Sequence, residues 1–292
     1  MTECKISDVA QAGFASAAAY EAHRPSYPPE AVAELLDRLG ISGVHGARVA
    51  DLAAGTGKFT EILANRPEQY NVVAIEPHDG MRAQLQNKSL PRVAVVKGAA
   101  EDLADLSSGD FAAVVTAQAF HWFANMKALN EIARILQPTG VFGVIWNIDD
   151  YNAPLSWDIQ PGWGHQMRSV IHTFHDGTPR FRDGQWRKVF DEQNRSDPLS
   201  LQFSANPIFG LPIGEGHVAY EHRLPPDAVW ARLSTLSQIA VLREDAFDKV
   251  KQTFFEAANV DEQDDQGRIA VRGRTVFFWT SKIPELPLKI DG

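Results

Sequence analysis

An aspartate, two closely spaced glycines and a lysine stand together in Val49-Ala50-Asp51-Leu52-Ala53-Ala54-Gly55-Thr56-Gly57-Lys58. Gly55 and Gly57 let the backbone approach a ligand closely and turn with φ > 0. The free N–H groups of a helix that starts there point at that ligand. Three nucleotide-type ligands compete. A phosphate-binding loop needs Ser or Thr after its lysine, and Lys58 is followed by Phe59. A dinucleotide fingerprint needs a third glycine where this chain has Thr60, and the acid at Asp51 repels a pyrophosphate. S-adenosylmethionine has no phosphate and carries an ammonium group that an acidic strand end attracts. A tight turn with no ligand is the remaining reading.

Further acids and a base follow at useful spacing. Glu76 ends the next apolar run, where an acid can accept both ribose hydroxyls of an adenosine. Pro77 and Met81 come directly behind it. Gly98-Ala99-Ala100-Glu101 offers small residues for an adenine edge and an acid for its amino group; an ordinary helix start explains it equally well. Gln118-Ala119-Phe120-His121-Trp122-Phe123 holds the one titratable base at that point. With an ordinary pKa of about 6.5, His121 suits proton removal from an acid, phenol or enol. It suits equally a packing role beside a cofactor.

These residues need a frame. Short apolar runs at Arg48–Leu52, Asn71–Glu76, Val93–Lys97, Phe111–Ala117 and Val141–Asn147 read as strands. Helical patterns at Gly57–Asn65, Asp79–Asn87 and Asn125–Leu136 alternate with them. That alternation predicts a parallel sheet covered on both faces, with right-handed crossovers. A helix at Ser26–Gly40 opens on Pro28-Pro29. After Asn147 the pattern fades into a Trp-, His- and Pro-rich stretch. It returns as a strand at Gly216–Leu224, helices at Asp227–Ile239 and Glu244–Ala258, and a β-rich run at Arg274–Ser281 that should close the sheet edge. The expected architecture is a single α/β domain, 1–292. It has an N-terminal segment 1–40, a cofactor core 41–150, a substrate-cover insertion 151–216 and closing elements 217–292.

The loop, Glu76-Pro77 with Met81, Gly98–Glu101 and Gln118–Phe123 together resemble the class I S-adenosylmethionine-dependent methyltransferases. They resemble in particular the small-molecule "methyltransferase 11" branch, which includes trans-aconitate methyltransferases. Phe14, Tyr20, His23, Arg24, Tyr27 and Pro28 resemble the aromatic segment that folds over the cofactor there. The motifs cover roughly residues 14–150. One departure is Ala53, where the family usually has its first glycine.

The resemblance implies a doubly wound, Rossmann-like sheet of seven strands, mostly parallel, with the last strand antiparallel and an insertion between strands five and six. It implies S-adenosylmethionine held by Asp51, Ala53, Gly55, Thr56, Gly57, Glu76, Pro77, Met81, Ala100, Glu101, Gln118, Ala119, Tyr20 and Arg24. Tyr20 could also stabilise a sulfonium by cation–π contact, and Arg24 could instead meet a substrate carboxylate or a surface acid. Expected pocket walls are His23, Tyr27, Trp122, Trp146, Asn147, Tyr151, Trp157 and Trp163. The Trp-rich insertion suggests a large apolar acceptor. The expected reaction is O-methylation of a carboxylate or hydroxyl in secondary metabolism. The alternative is a cyclase or pericyclase that keeps the cofactor as a fixed charge.

Composition narrows the partners. The net charge of −9 disfavours nucleic acid. No uninterrupted apolar run reaches the roughly 18 residues of a membrane span. The lone Cys4 can form neither an intrachain disulfide nor a thiolate zinc site, and the His residues show no metal-ligand register. Met1–Gly13 lacks the apolar stretch of a secretory signal, so the expected location is cytoplasmic.

Overall fold

The computed structural model describes residues 24–174, 177–193, 207–260 and 263–284. Among them, a seven-stranded sheet runs β3-β2-β1-β4-β5-β7-β6. The strands are β1 (Arg48–Leu52), β2 (Asn71–Ile75), β3 (Val93–Val96), β4 (Phe111–Ala117), β5 (Leu136–Asp149), β6 (Gly214–Leu224) and β7 (Ile269–Ser281). The first five pair in parallel, Asp51 lying opposite both Ala74 and Val115. β7 is antiparallel to both of its neighbours, β5 and β6. The near-continuous apolar strands thus form the expected doubly wound sheet. One expectation is corrected. The Arg274–Ser281 run does not close the edge; β7 sits between β5 and β6, and β6 is the edge. The reason lies in the residues. Val276, Phe277 and Phe278 are buried within that run, while β6 buries no residue and exposes Glu215, His217 and Glu221, which suits an edge.

The helices are α1 (Pro29–Arg38), α2 (Lys58–Ala64), α3 (Asp79–Asn87), α4 (Met126–Ile135), α5 (Trp163–Ile171), α6 (Lys188–Glu192), α7 (Pro226–Leu233), α8 (Ser237–Ala240) and α9 (Glu244–Val260). Against one face, Val32, Leu35 and Leu36 of α1 and Phe59 and Leu63 of α2 pack on Val49, Val115, Ile145 and Phe277. Gly143 lets α1 close in, since a Cβ there would meet Leu39 at 2.8 Å. Against the other face, Leu129 and Ile132 of α4 join Phe111, Val114 and Phe142, together with Trp186 and Phe190 from the insertion. A third apolar cluster joins Tyr151, Trp163 and Met167 to Trp230 and Phe254.

Asp149, at the end of β5, ties this third cluster to the sheet. Its carboxylate accepts from Tyr151 at 2.6 Å, from Tyr220 at 2.7 Å and from the guanidinium of Arg232. All four side chains come from different elements, and the acid and the arginine are both buried. Burial, and then the negative charge of Asp149, push the hydroxyls of Tyr151 and Tyr220 up.

Candidate cofactor and substrate cleft

The order β3-β2-β1-β4 reverses between β1 and β4, and a crevice opens outside the carboxyl ends of the strands there. A cleft of about 540 Å³ occupies that place. Its floor comes from Ala53–Thr56, Glu76–His78 with Met81, Gly98–Glu101, Ala117–Ala119 and His121–Phe123. Each set is the loop that leaves β1, β2, β3 or β4.

The glycine loop is shaped by contacts on both sides. Gly57 has φ +85° and caps α2; a Cβ there would lie 2.2 Å from Cδ1 of Leu85, so it binds loop to helix α3 rather than facing the cleft. Ala53 has φ +57°, the left-handed region that favours glycine. The one departure from the resembled motif is therefore a place where backbone strain is tolerated. Gly55 presents its N–H to Oε2 of Glu76 at 2.8 Å, while the N–H of His78 meets Oε1 at 2.7 Å. These two bonds fix the Glu76 carboxylate at the cleft wall. Burial nonetheless raises its pKa, against the lowering effect of both N–H groups. His78 was not anticipated from sequence; its Nδ1 accepts from Met81 N–H at 3.2 Å and caps α3.

Asp51 lies beneath the loop, fully buried. Its Oδ2 accepts from Thr60 at 2.6 Å, and its Oδ1 is buried with no hydrogen-bond partner among the described residues. Burial, assisted by the charge of Glu76, pushes Asp51 up to about 7. An acid left half-satisfied under a glycine loop, beside a second acid, fits the positively charged end of S-adenosylmethionine.

Other expected cofactor residues lie along the same wall. Thr56, Pro77, Met81, Ala100, Glu101, Gln118, Ala119 and Arg24 line the cleft. Glu101 accepts from Asn125 at 3.0 Å. Gln118 turns with φ +63° and donates to the Asn147 carbonyl at 3.0 Å. Asn147 donates in turn to the Ser26 carbonyl at 3.1 Å and accepts from Thr275 at 2.6 Å, pinning the N-terminal segment across β5. Arg24 donates to the Thr235 carbonyl at 3.2 Å, and Tyr27 packs edge-on against Phe59 at 5.3 Å. Tyr20 and His23 lie outside the described residues.

His121 lies on the loop that leaves β4, the strand paired with β1. The indole Nε1 of Trp146 donates to its Nδ1 at 3.2 Å. Indole is a donor only, so this nitrogen keeps its lone pair and the proton of the neutral ring is on Nε2. Burial, and then the charge of Arg180, hold the ring well below its ordinary value, at about 3. The expectation of a general base is therefore corrected: with its one basic nitrogen already bonded, His121 is a neutral donor. Trp122 and Trp146 line the cleft as expected.

Three expected pocket walls are corrected. Trp163 is buried against Tyr151 and Phe254, and its Nε1 donates to the Ala270 carbonyl at 2.8 Å. Tyr151 faces Asp149. Trp157 packs against Phe181 and under Arg274. None of the three lines the cleft: Tyr151 and Trp163 pack with Trp230 and Phe254, and Trp157 packs against the core on the sheet face. The wall there mixes polar Asn152, Thr178, Arg180, Thr235, Ser237 and Gln238 with apolar Pro179, Phe181 and Leu236. The expected helix 227–239 is broken between α7 and α8, and the break supplies Thr235 and Leu236 to the cleft. Among the described residues, no cluster of His, Cys, Asp or Glu is placed to hold a metal ion, and no helix is long and apolar enough to cross a membrane.

Residues 50–144 match the family model of a methyltransferase domain. An uncharacterized methyltransferase of Mycobacterium tuberculosis is 36% identical over 176 residues, which are 60% of this chain and 64% of that protein. An uncharacterized methyltransferase-like protein of Schizosaccharomyces pombe is 32% identical over 59% of this chain and 62% of its own length. The chain thus spans just under two thirds of the length of these relatives. The crystal structure of the YcgJ protein from Bacillus subtilis shares the fold, with a TM-score of 0.51 at 15% identity, covering 86% of this chain and 98% of that one.

Proposed function

We propose that this chain, which carries a class I S-adenosylmethionine-dependent methyltransferase domain, methylates an oxygen, carboxylate or hydroxyl, of a small organic molecule. The observation that carries the reading is the pair of acids at adjacent strand ends: Glu76 held open by two backbone N–H groups, and Asp51 with one buried oxygen unpaired.

Glu76 offers its remaining lone pairs to a ribose, and Ala99-Ala100 with Glu101 offer an adenine wall. Asp51 attracts the ammonium from beneath the loop, and Arg24 suits the neighbouring carboxylate. Held by these residues, the cofactor would supply an electrophilic methyl group to the acceptor oxygen, and a carboxylate acceptor would have no proton to lose. The protein's part is to align the acceptor and to keep water out. The insertion and the Thr235–Gln238 turn do this by walling the cleft opposite the glycine loop. A size of about 540 Å³ suits a nucleoside cofactor with a small acceptor.

Calorimetry with S-adenosylmethionine and S-adenosylhomocysteine tests the reading. Binding of both at micromolar concentrations is expected, and no binding below a millimolar overturns it. Methyl-labelled cofactor then separates methyl transfer from a cyclase or pericyclase, which would convert its substrate without taking up label.

A further inference from the structure

β6 is the outer strand on the antiparallel side of the sheet, and among the described residues no strand pairs with its free edge. Which of its backbone groups face that edge follows from its neighbour. The N–H of Lys282, directly after β7, donates to the Gly140 carbonyl on the β5 side at 2.9 Å, whereas the Ser281 carbonyl accepts from Gly210 on the β6 side at 2.9 Å. β7 keeps one register against β5 from Gly273 to Ser281, so its odd-numbered residues turn their peptide groups toward β6. Opposite them stand the even-numbered residues of β6, from Gly214 to Leu224. The residues between, Glu215, His217, Ala219, Glu221 and Arg223, therefore turn their N–H and C=O groups outward.

The side chains of these five residues share one face of the sheet. Glu215, His217, Ala219 and Glu221 are exposed, and Arg223 is half-buried. Glu215 meets Arg187 at 2.7 Å, and Glu221 meets Arg272 at 2.8 Å and Arg223 at 3.7 Å. These pairs lie open to water, where an ion pair is worth little and a carboxylate keeps room for another donor. Charges of one sign at an edge keep a second strand away. Here the signs are ordered along the strand, with an acid near its start and a base near its end. When β6 is set antiparallel to a copy of itself about Ala219, Glu215 falls opposite Arg223 of the copy and His217 opposite Glu221, and each pairing occurs twice. An axis one residue earlier, through Val218, sets Glu215 against Glu221 twice. An axis one residue later, through Tyr220, sets His217 against Arg223 twice. Of the three, the Ala219 register alone matches carboxylates with donors.

We propose that the free edge of β6 receives a second copy of this chain, the two β6 strands pairing antiparallel about a two-fold axis through Ala219 to make one continuous sheet. Every outward residue then meets an outward residue, so each opposite pair exchanges both N–H···O bonds, about ten bonds in all. On the other face of the paired strands, Val218 falls opposite Tyr220, an apolar contact of the kind that supports cross-strand pairing. The backbone bonds supply the attraction, and the Glu215–Arg223 and His217–Glu221 pairs fix the register, since slipping by one residue brings two carboxylates together.

Sedimentation velocity on the full chain, between about 1 and 100 µM, reads the assembly. The wild type is expected to sediment as a dimer within that range. Arg223→Glu sets like charges opposite each other at both ends of the paired strands and should weaken the dimer about tenfold or more; Glu215→Arg should do the same. The two changes together reverse both signs and should return the affinity to within about threefold of the wild type. Ala219→Pro deletes an N–H that faces outward, which an edge strand tolerates, and removes the bonds at the two-fold axis. That variant should be monomeric with an unchanged circular dichroism spectrum. A wild type that stays monomeric at about 100 µM overturns the proposal and leaves the charges as guards of a free edge. A dimer that either single charge change leaves intact, that the double change fails to restore, or that survives Ala219→Pro overturns it as well. Should the proline variant not fold, the charge exchange decides alone. The methyltransferase reading rests on the cleft and is untouched by any of these outcomes.

Discussion

The indole N–H of Trp146 donates to Nδ1 of His121 at 3.2 Å, and that bond decides what the histidine can do. The ring is neutral, with its proton on the other nitrogen. His121 should therefore titrate far below its ordinary range, at about 3. Its folded pKa lies below its unfolded one, so it contributes stability that is present above about pH 6.5 and is lost as the pH falls toward 3. A histidine NMR titration should show one ring unmoved between pH 8 and 5, a resonance that disappears in His121→Ala. The same variant leaves a buried indole donor unpaired, which costs about 1–3 kcal/mol.

Asp51 behaves in the opposite sense. Its folded pKa of about 7 lies above the unfolded value, so ionising it costs stability as the pH rises from about 4 to 7. A cation bound above it offsets that cost and releases a proton. The affinity for S-adenosylmethionine should therefore increase between pH 6 and 8. Binding enthalpies measured in buffers of different ionisation heat should reveal proton release near pH 6.5. Asp51→Asn should abolish both effects. An affinity flat with pH in the wild type rules out this role.

Ala53→Gly should relieve the left-handed strain, worth about 1–2 kcal/mol. Glycine gives back about 0.4–1 kcal/mol through the greater freedom of the unfolded chain. The expected outcome is a net gain between about 0 and 1.6 kcal/mol in urea unfolding.

Gly57→Ala should do the reverse. Its Cβ would stand 2.2 Å from Leu85, at φ +85°. Overpacking of this kind costs about 1–3 kcal/mol. Gly57→Ala combined with Leu85→Ala should lose less than the sum of the two single variants, because the clash is removed while the backbone strain remains.

The Asp149–Arg232 pair is buried on both sides. Arg232→Met should destabilise the chain by about 3–5 kcal/mol, since a buried carboxylate then keeps only two tyrosine hydroxyls. Asp149→Asn with Arg232→Met should recover part of that loss in the same unfolding experiment. Strict additivity of the two single changes would show that the pair does not act as a unit.

The glycine-loop half of the cleft is legible in the sequence because its residues are local. Asp51 to Gly57 is one strand and one turn, and Glu76 ends the next strand. Strand ends cluster at one edge of any parallel sheet, so finding the strands finds the acids. Arg180 and Gln238 were not legible. They lie in different segments, and their meeting depends on how the insertion folds back over the sheet. The composition of that insertion also misled. Tyr151, Trp157 and Trp163 read as pocket walls, but large aromatic side chains in a short, irregular stretch are its means of building a core. The polar residues it exposes to the cleft carried no periodic signal. Ala53 was visible as a departure, and its positive φ gives the physical meaning of the glycine usual there.

The position of β7 bears on how the chain is made. Among the described residues β7 is the last strand to leave the ribosome, and it has neighbours on both sides. Until it arrives, β5 presents an open edge that includes Phe142, Val144 and Ile145, and β6 has no partner in the sheet. At typical elongation rates that interval lasts on the order of 10 s. The half of the sheet bearing the glycine loop can settle early, whereas the acceptor's wall must wait for Ile269–Ser281. A nascent chain stalled within α9 would therefore hold a finished glycine loop beside a sticky, unpaired strand, the state in which chaperone capture would count most.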